Sequence, residues 1–185
     1  MLHMEQKDYK LEIVIELLKN ESHAREIAKK LNINHMNIIR KMRELSKENA
    51  VDYNLRGKNK VYFLKKNSEA KALVFMAENY KLIKILEKYA ILRNVIESIQ
   101  KNKEIKMAIL FGSYAKRIAK QDSDIDVYIE TVSNKIKSEI EKINTKLSIK
   151  IGRYNKSSLL IKEIDKNHII IKGIEQYYEK SRFFN

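Results

Sequence analysis

Apolar residues in the first third of the chain return every three or four positions with lysine, arginine and glutamate between them, the period of an amphipathic helix. Leu11, Val14, Ile15 and Leu18 predict a first helix over about residues 5–19. Ser22 reads as the N-cap of a second, short helix whose inner face is Ile27, Ala28 and Leu31. After a break at residues 32–34, Ile38, Ile39, Met42 and Leu45 predict a third. Residues 51–55 and 60–65 are then strand-like runs around Arg56-Gly57-Lys58-Asn59, a β-hairpin signal.

The period changes twice more. Residues 68–101 hold apolar positions at helical spacing with neither glycine nor proline, and predict one kinked helix or two consecutive ones. From Met107 onward, strand and helix patterns alternate. Residues 107–111 form a continuous apolar run suited to a buried strand, and a short helix over 113–120 follows. Ile125, Val127 and Ile129 then alternate with Asp124, Asp126, Tyr128 and Glu130, a strand with one apolar and one polar face. Residues 134–147, 157–165 and 173–180 predict helices, with strands near Ile149 and Ile151 and at residues 168–171. The fold class is α+β. Its three parts are residues 1–66, a helical connector at 67–103, and a C-terminal α/β unit with a small mixed sheet at 104–185.

Composition narrows the partners. The formal net charge is +14, from 38 basic and 24 acidic residues, an imbalance expected of a protein that meets polyanions. A lysine- and isoleucine-rich, proline-free chain from an AT-rich genome would carry the same excess, so position has to decide. No apolar run approaches the roughly 20 residues that span a bilayer, and the polar N-terminus does not read as a signal peptide. With no cysteine, a disulfide and a thiolate metal site are excluded, which fits a cytoplasmic location and no membrane partner.

Residues 53–66 hold five basic residues and no acidic one. Three helices followed by a hairpin with a basic tip resemble the winged helix-turn-helix family over residues 1–66. The resemblance implies that the third helix lies in a DNA major groove and the hairpin touches the backbone. Asn34, His35, Asn37, Arg40, Lys41 and Arg43 are then the outward residues of that helix, and Arg56, Lys58 and Lys60 meet phosphates. For His35 an ordinary solvated position is the better reading. Double-stranded DNA is the expected partner and a homodimer is an analogy from the same family.

The densest chemistry lies at residues 110–129. Gly112-Ser113 precedes Asp124 and Asp126 by ten intervening residues. Alternate residues of a strand share a face, so the two aspartates can hold one divalent cation while Ile125 and Val127 anchor the strand. Mg²⁺ favours such clustered carboxylate oxygens. Glycine lets the backbone approach a phosphate, and serine adds a hydroxyl and an N–H at a helix start that attracts anions. Strand, glycine-serine turn, helix and carboxylate strand together resemble the DNA polymerase β-like nucleotidyltransferases, in particular their minimal branch, over about residues 104–180.

That resemblance implies roles. Gly112, Ser113 and Lys116 would bind the nucleotide, Asp124 and Asp126 would be catalytic and hold Mg²⁺ or Mn²⁺, and the substrate would be a nucleoside triphosphate, expected to be ATP. Lys116 stands where many members carry arginine. Arg117 replaces a frequent glycine, which predicts that the helix runs on. Active members place a third carboxylate on a later strand, here residues 148–153, but no Asp or Glu occurs there and Lys150 stands near the expected place. Glu130 shares the face of the aspartates but lies about 13 Å along the strand from Asp126. Two functions stay open. One is NMP transfer to a protein or small-molecule hydroxyl, with the minimal branch's antitoxin role toward a HEPN-type toxin partner. The other is a DNA-binding regulator whose second domain senses nucleotide or has lost turnover.

Overall fold

The computed structural model describes residues 7–184. They form two compact units: residues up to Ala77 together with Phe184, and Glu78–Phe183.

In the first unit α1 (Tyr9–Lys19) starts where Asp8 accepts from the N–H groups of Lys10 and Leu11, at 3.0 and 3.2 Å. This cap sets the start later than periodicity predicts. Positions 5 and 6 of the predicted helix lie outside the described residues. Leu11, Ile13, Val14 and Leu17 are its buried face. Ser22 and His23 form β1 (Ser22–His23) before α2 (Ala24–Leu31). This corrects the reading of Ser22 as a cap: the two residues pair with the hairpin, and the N-cap is His23, without a side-chain bond. The Ser22 hydroxyl instead donates to Glu26 at 2.7 Å. Asn32 ends α2 at φ 53°, a left-handed conformation that asparagine tolerates. Asn34 then caps α3 (His35–Lys47) by accepting from the Met36 N–H. Ile38, Met42 and Leu45 face inward.

Strands β2 (Val51–Arg56) and β3 (Asn59–Leu64) pair antiparallel from Val51↔Leu64 to Arg56↔Asn59, with Gly57 at φ 61° in the two-residue turn. β1 adds to β3, so the order is β1-β3-β2. Asn67 accepts from the Ala70 N–H at 3.0 Å near the start of α4 (Ser68–Lys88). The unit division falls within this helix.

The second unit carries α5 (Leu92–Lys101), entered through a turn in which the Leu92 N–H bonds the Tyr89 carbonyl at 3.1 Å. The connector is therefore two helices. A four-stranded mixed sheet follows in the order β6-β5-β4-β7. Its members are β4 (Ala108–Leu110), β5 (Ile125–Glu130), β6 (Leu147–Gly152) and β7 (Ile169–Lys172). β4 pairs antiparallel with β5 and β7, and β5 pairs parallel with β6. The parallel pair needs a crossover, and α7 (Asn134–Glu141) supplies it. Leu147, predicted to end that helix, is the first residue of β6. Ile125, Val127 and Ile129 pack in one core with Leu110, Ile149, Ile169, Ile171 and the apolar faces of α5 and α7. Asp126, Tyr128 and Glu130 therefore face the other side, as strand alternation requires. α8 (Leu159–Lys166) and α9 (Ile174–Ser181) complete the unit.

Candidate functional site

The glycine-serine turn is held against the aspartate strand by the backbone. The Phe111 N–H donates to the Asp126 carbonyl at 3.0 Å, so the chain leaves β4 and turns directly beside Asp126. Gly112 has φ 68°, and a Cβ there would overlap Oδ2 of Asp126. Glycine is required twice over, by the left-handed backbone and by the carboxylate in the space a side chain would need.

Ser113 follows in α6 (Gly112–Ala115), a single turn whose Tyr114 is buried and packs edge-on against Tyr89 with ring centroids 4.9 Å apart. The expectation that the helix runs on past Arg117 is wrong. Arg117 itself adopts φ 60°, and the Arg117 and Ile118 N–H groups turn back to the carbonyls of Tyr114 and Ser113 at 2.9 and 3.0 Å. The arginine does here what a glycine does more cheaply.

Asp124 lies just before β5 and is exposed, whereas Asp126, within the strand, is half-buried. Burial pushes the Asp126 carboxyl up from its ordinary value, and the neighbouring charge of Asp124 adds to this. Lys150 and a hydrogen bond from the Ser148 hydroxyl draw it partly back. The two carboxylates thus feel each other, and a cation between them would relieve both burial and repulsion. Among the described residues no group of three or more His, Asp or Glu side chains could hold a metal ion. A magnesium ion bound through one or two carboxylates plus substrate phosphates does not need a third, so the pair fits that ion.

The strand register decides what stands where a third acid was expected. Ser148 is directly opposite Asp126, and Lys150 is two pairs further on, opposite Tyr128. Lys150 is exposed yet close enough for its charge to act on Asp126. Glu130 is occupied otherwise, accepting from the Tyr154 N–H at 3.2 Å and pairing with Lys180 at 3.0 Å. Between the acids the polar face is interrupted by Tyr128, which is buried and donates to the Gly152 carbonyl at 2.9 Å. Lys116, at the end of α6, pairs with Glu163 of α8 at 2.7 Å.

The basic positions of the first unit divide into two groups. Lys41 pairs with Glu44 at 2.6 Å and Arg56 with Glu21 at 2.7 Å, so both cations are already matched. Asn34 spends its side-chain oxygen on the α3 cap. Asn37, Arg40, Arg43 and Lys58 are exposed, and among the described residues none of these three cations forms an ion pair. His35 is half-buried. The Lys60 ammonium lies 3.9 Å from the centroid of the Tyr53 ring. Lys47, one turn beyond Arg43 on the same exposed face, escaped the sequence reading, although the spacing of 40, 43 and 47 carries it.

No helix among the described residues is long and apolar enough to cross a membrane. Residues 93–177, from α5 into α9, match the family described as polymerase beta, nucleotidyltransferase. No curated protein matches the chain. Among solved structures, a chain titled "Crystal structure of the toxin-antitoxin with AMP-PNP" is 21% identical, with 58% of this chain and 80% of that chain covered at a TM-score of 0.35. The glycine-serine turn, the aspartate pair and the mixed sheet all fall inside the segment that is similar to this family.

Proposed function

We infer that the second unit transfers an NMP group from a nucleoside triphosphate, ATP in the first instance, to a hydroxyl of a protein or small molecule. The single observation that carries this is the Gly112 turn lying against the Asp126 carboxylate. It supports a reading in which the N–H groups of this turn receive phosphate beside a carboxylate pair. In this reading Ser113 and the start of α6 receive the triphosphate, and Lys116 exchanges Glu163 for a phosphate oxygen. Asp124 and Asp126 hold Mg²⁺ or Mn²⁺, which when bound neutralises charge on the triphosphate. The acceptor oxygen bonds to the α-phosphorus, the bond to the bridging oxygen breaks, pyrophosphate leaves, and the acceptor proton passes to water.

Asp126→Asn and Asp124→Asn test this with ATP labelled on the α-phosphate. Label should reach an acceptor in the wild type and fall by at least about 100-fold in each variant. Label transfer that persists in both variants would sink the reading.

The first unit is proposed to be a winged helix-turn-helix module that binds double-stranded DNA. Support comes from the exposed Arg40, Arg43, Asn37 and Lys58 and from the basic hairpin. Asn34, Lys41, Arg56 and Lys60 stand behind them, because each is engaged within the unit. An antitoxin that represses its own synthesis and modifies a HEPN-type toxin would join both activities. The second reading is a DNA-binding regulator that senses nucleotide without turnover. The observation favouring it is Ser148 and Lys150 where an acid was expected. Mg²⁺-ATP binding seen by calorimetry, with no label transferred to any acceptor, would decide for it.

A further inference from the structure

A groove of about 440 Å³ lies in the first unit between α3 and the hairpin. Its floor is apolar, made of Ile39, Met42 and Tyr62, with Met42 fully buried. One wall is Tyr53, which is 39% exposed and packs against Tyr62 at a centroid distance of 5.8 Å. The rim carries Arg43, Lys47 and Lys60, and among the described residues no acidic one lines the groove.

Three features call for a ligand of one kind. Arg43 and Lys47 are exposed one helical turn apart and form no ion pair among the described residues. Among the described residues, Lys60 is satisfied only by the face of Tyr53 at 3.9 Å, a contact an anion would displace. Like charges gathered at a rim repel one another, and an anion there relieves the repulsion. The apolar floor and tyrosine wall offer nothing to a bare phosphate. They suit a flat ring, and the volume lies within the range of small-ligand sites.

We propose that this groove binds a nucleoside monophosphate, with its base against Tyr53 and Tyr62 and its phosphate on Arg43, Lys47 and Lys60. The site is separate from the triphosphate site of the second unit. It stands whether or not the first unit binds DNA, although Arg43 and Lys60 would serve both.

Methyl NMR of methionine-labelled full-length protein reads the groove directly, because Met42 lies in its floor and Met107 belongs to the other unit. AMP is the probe, with adenosine and inorganic phosphate as separate arms. The Met42 signal should move saturably with AMP, with half-saturation below about 1 mM, and move less with either fragment. Tyr53→Ala should weaken AMP binding about fivefold or more, the loss expected for one stacked base. Lys47→Gln, at an exposed position that does not threaten folding, should also weaken it. The proposal is overturned if Met42 does not respond to AMP, if phosphate alone gives the same shift, or if Lys47→Gln and Tyr53→Ala both leave the affinity unchanged. A Met42 response to duplex DNA and none to AMP would likewise overturn it.

Discussion

Gly112 shows how much one residue carries. Its φ of 68° costs a non-glycine residue about 1–2 kcal/mol, and the missing side chain leaves the space in which Asp126 Oδ2 sits. If the second unit transfers NMP as proposed, Gly112→Ala should leave a folded protein whose label transfer falls by about 100-fold or more, since displacement of a site by about 1 Å has that effect. Circular dichroism and the transfer assay together check it. Ser148 makes the converse point, because only the register places it beside Asp126. Ser148→Asp adds a third carboxylate there, and should lower stability without Mg²⁺, by repulsion with Asp126, and tighten Mg²⁺-ATP binding several-fold in calorimetry. Unchanged affinity would mean that position 148 does not face the proposed ion.

At the scale of elements, α6 is short because Arg117 turns left-handed after one helical turn. Arg117→Gly keeps the backbone carbonyl that accepts from Lys88 at 2.7 Å and removes the strain. After the extra entropy of an unfolded glycine it should stabilise the protein by about 0.5–1 kcal/mol in urea unfolding. A second element-scale device ties α4 to α9. The Tyr178 hydroxyl donates to Glu78 at 2.8 Å, and Lys81 pairs with Glu78 at 2.8 Å. Burial pushes the Glu78 carboxyl up, but Lys81 and His168 outweigh it and hold the carboxyl down to about 2 from 4.5. A depressed folded value means that the contribution is full above the unfolded value, about 4.5, and is lost as pH falls toward 2. It amounts to about 3 kcal/mol. Glu78→Gln should flatten the acid limb of a stability–pH profile, and an equally steep limb in the variant would assign that limb to other groups.

For the whole molecule the net charge of +14 matters less than where unmatched cations sit. If the first unit binds DNA as proposed, Arg40→Ala and Lys58→Ala should each reduce the slope of log affinity against log salt by about 1. Arg56→Ala should change it less, because Arg56 is already paired with Glu21. Equal slopes for all three variants would refute this ordering. Much was legible without coordinates. Periodicities of two and 3.6 located the strands and helices, because burial imposes them on any chain that packs one face. The Gly112-Ser113 and Asp124-x-Asp126 spacing marked the candidate site, because a glycine turn and alternate carboxylates are local requirements. What depended on distant residues was not legible. β1 exists because β3 offers an edge to Ser22 and His23. Arg56, Lys116 and Glu130 found partners that no local pattern names. The sequence by itself determined which residues could do chemistry and on which face of their own element they lie. Only the tertiary structure decided which of them meet, because strand register and helix packing join positions far apart in the chain.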